Sequence, residues 1–174
     1  MGTLYNAGFM CYGWLIYKNG EVIARGHGGY ICDRDATSSR AEYLALVVGL
    51  EALWDLDIRR QEPISIIGDA KSIIDQMQGF AAVNSNSIRP LFRRAKKLSK
   101  RFTNLGWSWT PRKLNHLADR LTRKAMRQIR QDRLSYEAHL RAIESCRDKV
   151  PSGKILSLLD LRVYQVSGQL TVGS

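Results

Sequence analysis

Residues 63–79 read "PISIIGDAKSIIDQMQG". The run Ile64–Ile67 is broken only by Ser65, the pattern of a strand buried on both faces and paired in parallel. Asp69 follows it, and residues 70–79 then show the period of a short helix stopped by Gly79. A buried strand passing directly into a helix predicts an α/β sheet, with Asp69 at the strand's carboxyl end. Elements on either side extend the pattern. Alternation over residues 9–31, "FMCYGWLIYKNGEVIARGHGGYI", predicts strands at about 9–17 and 21–31, joined by a tight turn at Asn19-Gly20. A helical period runs from Ala41 to Leu56, entered through polar Ser38 and Ser39. Downstream come a basic helix, "IRPLFRRAKKLSKRF" (88–102), a strand, "LGWSWTP" (105–111), and a second basic helix, "NHLADRLTRKAMRQIRQDRL" (115–134). The order strand, strand, helix, strand, helix, helix, strand, helix predicts a mixed sheet flanked by helices.

A chain of 174 residues has room for one domain with a real core and an appendage. Residues 1–130 form the predicted domain. Residues 131–174 form a C-terminal extension, a helical stretch followed by the strand-like "KILSLLDLRVYQV" (154–166) and hairpin-like "SGQLTVGS" (167–174). Cys11, Cys32 and Cys146 have neither CxxC nor zinc spacing and suit a reducing, cytoplasmic setting. The apolar stretch Ala7–Tyr17 is too short to span a bilayer and lacks a basic leader, so neither membrane nor signal peptide is expected. Oligomeric state leaves no mark on the sequence.

The charge is unevenly distributed. Residues 1–88 carry 7 Lys/Arg against 10 Asp/Glu, whereas residues 89–133 carry 15 against 2. A solvated helix face usually mixes signs, so this 45-residue concentration predicts a polyanionic partner, nucleic acid above all.

Three carboxylates need weighing against this basic segment. Each has a structural explanation alone: Ser39-x-x-Glu42 has the spacing of a capping box, Asp69 suits a helix N-cap, and Asp119 can pair with Arg123 one turn on. Together they gather where sheet strands end and helices begin, beside a basic surface. Carboxylates hold hard cations such as Mg²⁺, which complete their shell with water and phosphate oxygens. A pair of such ions assists phosphodiester hydrolysis.

Four segments, "TSSRAEYLALVVGLEAL" (37–53), "ISIIGDAKSIIDQMQG" (64–79), "IRPLFRRAKKLSKRF" (88–102) and "WSWTPRKLNHLADRLTRKA" (107–125), resemble ribonuclease H type 1 domains in order and spacing. The likeness is to the reverse-transcriptase-like branch, with its R-x-x-N-x-x-A-D-x-L motif at Arg112–Leu121. It covers about residues 1–130. It implies an RNase H-like mixed five-stranded sheet, and cleavage of the RNA strand of RNA–DNA hybrids with Mg²⁺ or Mn²⁺. Glu42, Asp69 and Asp119 match the second, third and fourth of the family's four carboxylates and would be its catalytic and metal-binding residues. Thr3, Thr37, Ser38, Ser39, Arg112 and Asn115 match substrate-facing positions, with Arg93, Arg94, Lys96 and Lys97 on the basic helix gripping the phosphate backbone.

The chain also departs from the pattern. Gly2-Thr3 matches the Gly and hydroxyl residue after the family's first Asp, which puts Met1 in place of that Asp and leaves the first, central strand missing. Truncation and genuine loss both account for this, and a thioether cannot replace a carboxylate on Mg²⁺. Ala70 replaces a frequent Ser, and the loop "TPRK" (110–113) lacks the mobile His of some members. His116 reads as a surface or groove residue, while His27 and His139 fit no pattern. Three expectations follow: a nuclease, a binding module that has lost catalysis, or an assembly role for the extension. A further expectation is that residues 155–166 fill the place of the central strand and bring Asp160 toward the carboxylates. Trp107 and Trp109 alternate on their strand, and at least one is expected in the core.

Overall fold

The computed structural model describes residues 9–31, 37–58, 61–131, 160–166 and 169–173. Strands β1 (Phe9–Lys18) and β2 (Glu21–Ile31) form an antiparallel hairpin. Its turn uses positive φ at Asn19 (52°) and Gly20 (81°), the conformation that makes Asn-Gly a hairpin signal. Helix α1 (Ser38–Asp55) follows, then β3 (Ile64–Gly68) and α2 (Lys71–Gln78), which ends at left-handed Gly79. Helix α3 (Arg89–Ser99), β4 (Leu105–Trp109), a short 3-10 turn (Arg112–Leu114) and α4 (His116–Gln131) complete the predicted order.

The strands form two sheets. One is antiparallel, in the order β1-β2-β5-β6, where β5 is Asp160–Val166 and β6 is Gln169–Gly173. The other pairs β3 in parallel with β4, as the apolar run of β3 predicts. Among the described residues nothing pairs with the free edge of β1 or that of β3, so the expected mixed sheet is open between them.

Residues 155–166 were expected to close that opening. The described part, β5, instead pairs with β2, with Asp160 opposite Tyr30. The free edge of β2 accepts a ladder, and β6 continues it as a hairpin with β5. This puts Asp160 two strands away from the open edge of β1, on the side remote from β3. Residues 155–159, and the helix expected at 135–148, lie outside the described residues.

Alternation along β1 assigns its two faces. Tyr12, Trp14 and Ile16 enter the core with Leu44, Val47, Leu50 and Leu53 of α1, and α2 and α3 add Ile73, Met77, Leu91, Ala95 and Leu98. The Tyr43 hydroxyl donates to Gln76 Oε1 at 2.7 Å, tying α1 to α2 inside this layer. Helix α4 covers the opposite face of the hairpin, where glycine sets the spacing. A Cβ on Gly13 would lie 2.6 Å from the Ala118 carbonyl oxygen, and one on Gly29 would lie 2.2 Å from Ile129 Cδ1. His27, on the same face, is buried and bonds Gln128 of α4 at 2.7 Å; burial holds its pKa below the usual value.

Gly13→Ala is expected to lower stability by about 1–3 kcal/mol, because the obstructing atoms belong to the α4 backbone and have little room to move. At Gly49, inside α1, the same methyl would meet Trp14 no closer than 3.7 Å. Gly49→Ala should therefore raise stability by up to about 1 kcal/mol through helix propensity. Urea unfolding at constant m-value checks both.

Candidate active site

The strand β3 delivers Asp69 to the sheet's carboxyl end, and the turn into α4 delivers Asn115 and Asp119 beside it. Asn115 Nδ2 donates to Asp69 Oδ1 at 2.9 Å. The Asp69 carbonyl accepts from Trp109 Nε1 at 3.1 Å, fixing the residue's main chain as well. Asp69 is therefore a held acceptor and not a helix cap: the N-cap of α2 is Ala70, without a side-chain bond. Asp119 pairs with Arg123 at 2.8 Å, as its spacing predicts, and also accepts from Arg112 Nη2 at 3.1 Å. The Arg112 guanidinium reaches Asp69 as well, with Nε 4.0 Å from Oδ2. One cation therefore joins the third and fourth predicted carboxylates.

Glu42 completes the group from α1. The capping-box reading of Ser39 and Glu42 does not hold. Thr37 is the N-cap and its hydroxyl accepts from Arg40 N, which moves Glu42 beyond the first turn. Half-buried there, its carboxyl is pushed up to about 7, first by desolvation and then by the Asp69 charge, with Arg112 pulling the other way. Arg112 in turn is raised, chiefly by its hydrogen bond to Asp119 and then by the charges of Asp119, Asp69 and Glu42. The three carboxylates thus share one electrostatic field with Arg112 as their counter-charge.

The donor set suits a hard divalent cation in kind, being all carboxylate oxygen, and Arg112 already stands in as a cation between two of its members. As the side chains lie, no three His, Cys, Asp or Glu among the described residues are grouped closely enough to hold a metal ion. Metal binding there requires Arg112 to move aside and the carboxylates to draw together.

The other predicted residues divide. Thr37 and Ser38 are exposed at the start of α1 and Ser39 is half-buried, whereas Thr3 lies outside the described residues. On α3, Arg93 and Lys97 are exposed. Arg94 forms an ion pair with Glu51 of α1, and Lys96 donates to the Met77 carbonyl at 2.6 Å, so these two are committed to helix packing. Exposed Arg120, Arg123, Lys124 and Arg127 extend the basic surface along α4. Sequence reasoning missed two residues. Trp109 is half-exposed and anchors Asp69, while Trp107 packs against the core. Arg40 is only 1% exposed, and its guanidinium finds no hydrogen-bond partner among the described residues. A strand facing Gly68 was a signal for Trp109; an Arg in a polar helix start gave none for burial.

A family model described as reverse transcriptase-like matches residues 11–125, more than half of the chain. The chain belongs to this ribonuclease H-like family. Ribonuclease HI of Halobacterium salinarum is 32% identical over 122 residues, 70% of this chain and 58% of that protein. The bifunctional protein Rv2228c of Mycobacterium tuberculosis is 32% identical over 91 residues, 52% of this chain. The chain spans only 24% of the length of that relative. Among solved structures, RNase H1 of Halobacterium salinarum superposes with a TM-score of 0.51 at 25% identity, over 69% of this chain and 96% of the other. The N-terminal RNase H domain of Rv2228c, solved as a fusion with maltose-binding protein, gives 0.50 at 26% identity, over 68% and 96%. The family match ends at 125, before the C-terminal strands β5 and β6.

The raised Glu42 pKa has a stability consequence. A carboxyl near 4.5 when unfolded and about 7 when folded is easier to bury protonated. Its favourable contribution is complete below the unfolded pKa and disappears as pH rises through about 7. In metal-free buffer, Glu42→Gln should remove a stability loss of about 3 kcal/mol between pH 4.5 and 8 that the parent chain shows. Urea midpoints for both chains across that range test it, and parallel profiles would contradict the assignment.

Proposed function

We propose that the chain is a metal-dependent endoribonuclease of RNase H type, acting in the cytoplasm on the RNA strand of RNA–DNA hybrids. The observation that carries the proposal is the meeting of Asp69, Asn115, Asp119 and Arg112, with Glu42 in the same field. In this reading Glu42, Asp69 and Asp119 are the catalytic carboxylates and hold Mg²⁺, or Mn²⁺ in its place. When bound, such an ion supplies Lewis-acid stabilisation of the charge developing on a phosphoryl oxygen. The chain's own residues do the rest. Asn115 orients Asp69. Arg112 turns from its carboxylates toward the phosphodiester as substrate enters.

Substrate is held by shape and backbone contact. Thr37, Ser38 and Ser39 face the minor groove of the hybrid, where 2′-hydroxyls distinguish RNA. Thr3 joins them by its position in the family pattern. Arg93 and Lys97 on α3 and the exposed basic side chains of α4 contact phosphates, while Arg94 ties α3 to α1 through Glu51 and Lys96 ties it to α2 through the Met77 carbonyl. Residues 1–130 form the substrate-binding domain and 131–174 an appended unit. Ribonuclease HI of Halobacterium salinarum, similar over 70% of the chain, supports the reaction class.

One observation favours a second reading, a binding module without turnover. Arg112 already neutralises Asp69 and Asp119, an arrangement that suits phosphate gripping as well as catalysis. A labelled hybrid with Mg²⁺ or Mn²⁺ separates the two. The enzyme reading expects cleavage that Asp69→Asn reduces roughly 100-fold or more while binding persists. Cleavage unchanged by the substitution would place the activity elsewhere. Tight binding with no cleavage by either chain would select the module. Binding should also weaken about 10³-fold from 50 to 200 mM salt if about six phosphates are contacted, and a flat dependence would remove the backbone-gripping model.

A further inference from the structure

The exposed basic side chains fall on two sides of the β1-β2 hairpin. Helix α3 packs through Leu91, Ala95 and Leu98 into the same core layer that Tyr12, Trp14 and Ile16 of β1 enter, together with α1 and α2. Helix α4 lies on the opposite face of the hairpin, against Gly13 and Gly29. Its outward face carries Arg120, Arg123, Lys124, Arg127 and Arg130, all exposed. No acid offsets them there, because the helix's one carboxylate, Asp119, is half-buried in the site.

These cations form a row. Arg120, Arg123, Lys124 and Arg127 recur at the spacings that share one side of a helix, over roughly 10 Å of its length. Like charges at these spacings repel and weaken a helix. Arg127 also suits the carboxyl end of the helix dipole, but Arg120 stands near the amino end, where a cation gains nothing from it. Among the described residues Arg120, Lys124 and Arg127 have no ion-pair partner. The row is continuous with the site. Arg112 holds Oδ1 of Asp119 at 3.1 Å and Arg123 holds Oδ2 at 2.8 Å, so a line of cations runs from the carboxylates down α4.

We propose that this face of α4 is a track for a single polynucleotide strand leaving the carboxylate site, the unpaired continuation of one strand of a bound hybrid. A row of cations on a helix without aromatic side chains recognises phosphates and not bases, so the track is indifferent to sequence. Position selects an unpaired strand over more duplex. The cations of α3 and α4 lie on opposite sides of the hairpin, and a duplex, stiff over about 150 base pairs, does not turn from one side to the other. A flexible strand crosses the edge at Arg112 and follows α4. The inference rests on the hybrid-binding reading and deepens it: the phosphates that α4 meets belong to the strand beyond the paired region.

The test measures fluorescence anisotropy with the full chain in chelator, so that cleavage plays no part. The probes are a blunt RNA–DNA hybrid and the same hybrid with about a dozen unpaired deoxynucleotides at either end of its DNA strand, the overhang having a natural or an uncharged methylphosphonate backbone. The parent chain should bind one natural overhang hybrid about tenfold more tightly than the blunt one, with a log–log salt slope steeper by about two, the share of three phosphates on a single strand. The triple variant Arg120→Gln, Lys124→Gln, Arg127→Gln, with its fold checked by circular dichroism, should lose that gain and the extra slope together. No gain from either overhang, or a gain that survives in the triple variant or with the uncharged backbone, would overturn the proposal. Blunt-hybrid binding without an overhang gain removes this inference alone. The full overhang effect in a chain that cleaves no hybrid once Mg²⁺ is restored removes the nuclease reading and leaves the track standing.

Discussion

The Ala118 carbonyl sits where a side chain at Gly13 would have to pass, and this approach of α4 to β1 sets the geometry of everything near the carboxylates. With the helix seated there, its first residues fall beside the end of β3. Asn115 then reaches Asp69, and Asp119 enters the same space one turn later. A larger residue at Gly13 would lift the start of α4 and move Asn115 and Asp119 together, while Glu42, carried by α1 on the other face of the hairpin, would stay. The site is thus assembled by layers packed on opposite faces of one hairpin, and its precision is inherited from a backbone contact.

Much of the fold was legible because it is written in local chemistry. Asn19-Gly20 turns the hairpin by adopting positive φ, Gly79 ends α2 in the left-handed conformation, and the unalternating run of β3 announces a parallel partner. Asp69 and Asp119 were legible for a related reason: the position of one at a strand end and of the other in a spaced helical motif survives folding. What local chemistry could not fix is which side chain finds which partner. Ser39 and Glu42 have capping-box spacing, yet Thr37 takes the cap because the helix begins two residues earlier than that reading needs. Arg94 and Lys96 look like Arg93 and Lys97 in sequence, and only the packing of α3 against α1 and α2 separates the two that are held, by Glu51 and by the Met77 carbonyl, from the other two. The position of β5 was illegible for a similar reason. Its pattern predicts a strand, but several open edges can receive one, and the edge of β2 took it.

Asn115 and Arg112, two of the groups that hold the carboxylates, differ in strength, and that difference has consequences for function. Asn115 is neutral and half-buried, and its bond to Asp69 needs no charge to persist. Arg112 is exposed, with 70% of its side chain in solvent, and one of its contacts is stretched to 4.0 Å. Exposed ion pairs of this kind are worth about 0–1 kcal/mol each. Removing Arg112 from the cluster therefore costs little in lost contacts and leaves Arg123 on Asp119, but Glu42, already pushed up by desolvation first and the Asp69 charge second, loses the cation that pulls it down. A site built in this way keeps its shape through Asn115 and its charge balance through Arg112 and Arg123. Any cation that binds replaces a weak counter-charge, and any phosphate that arrives meets a guanidinium free to turn toward it. The arrangement makes exchange of one charged partner for another cheap, which hydrolysis and simple binding both require; only a cation drawn in by all three carboxylates distinguishes them.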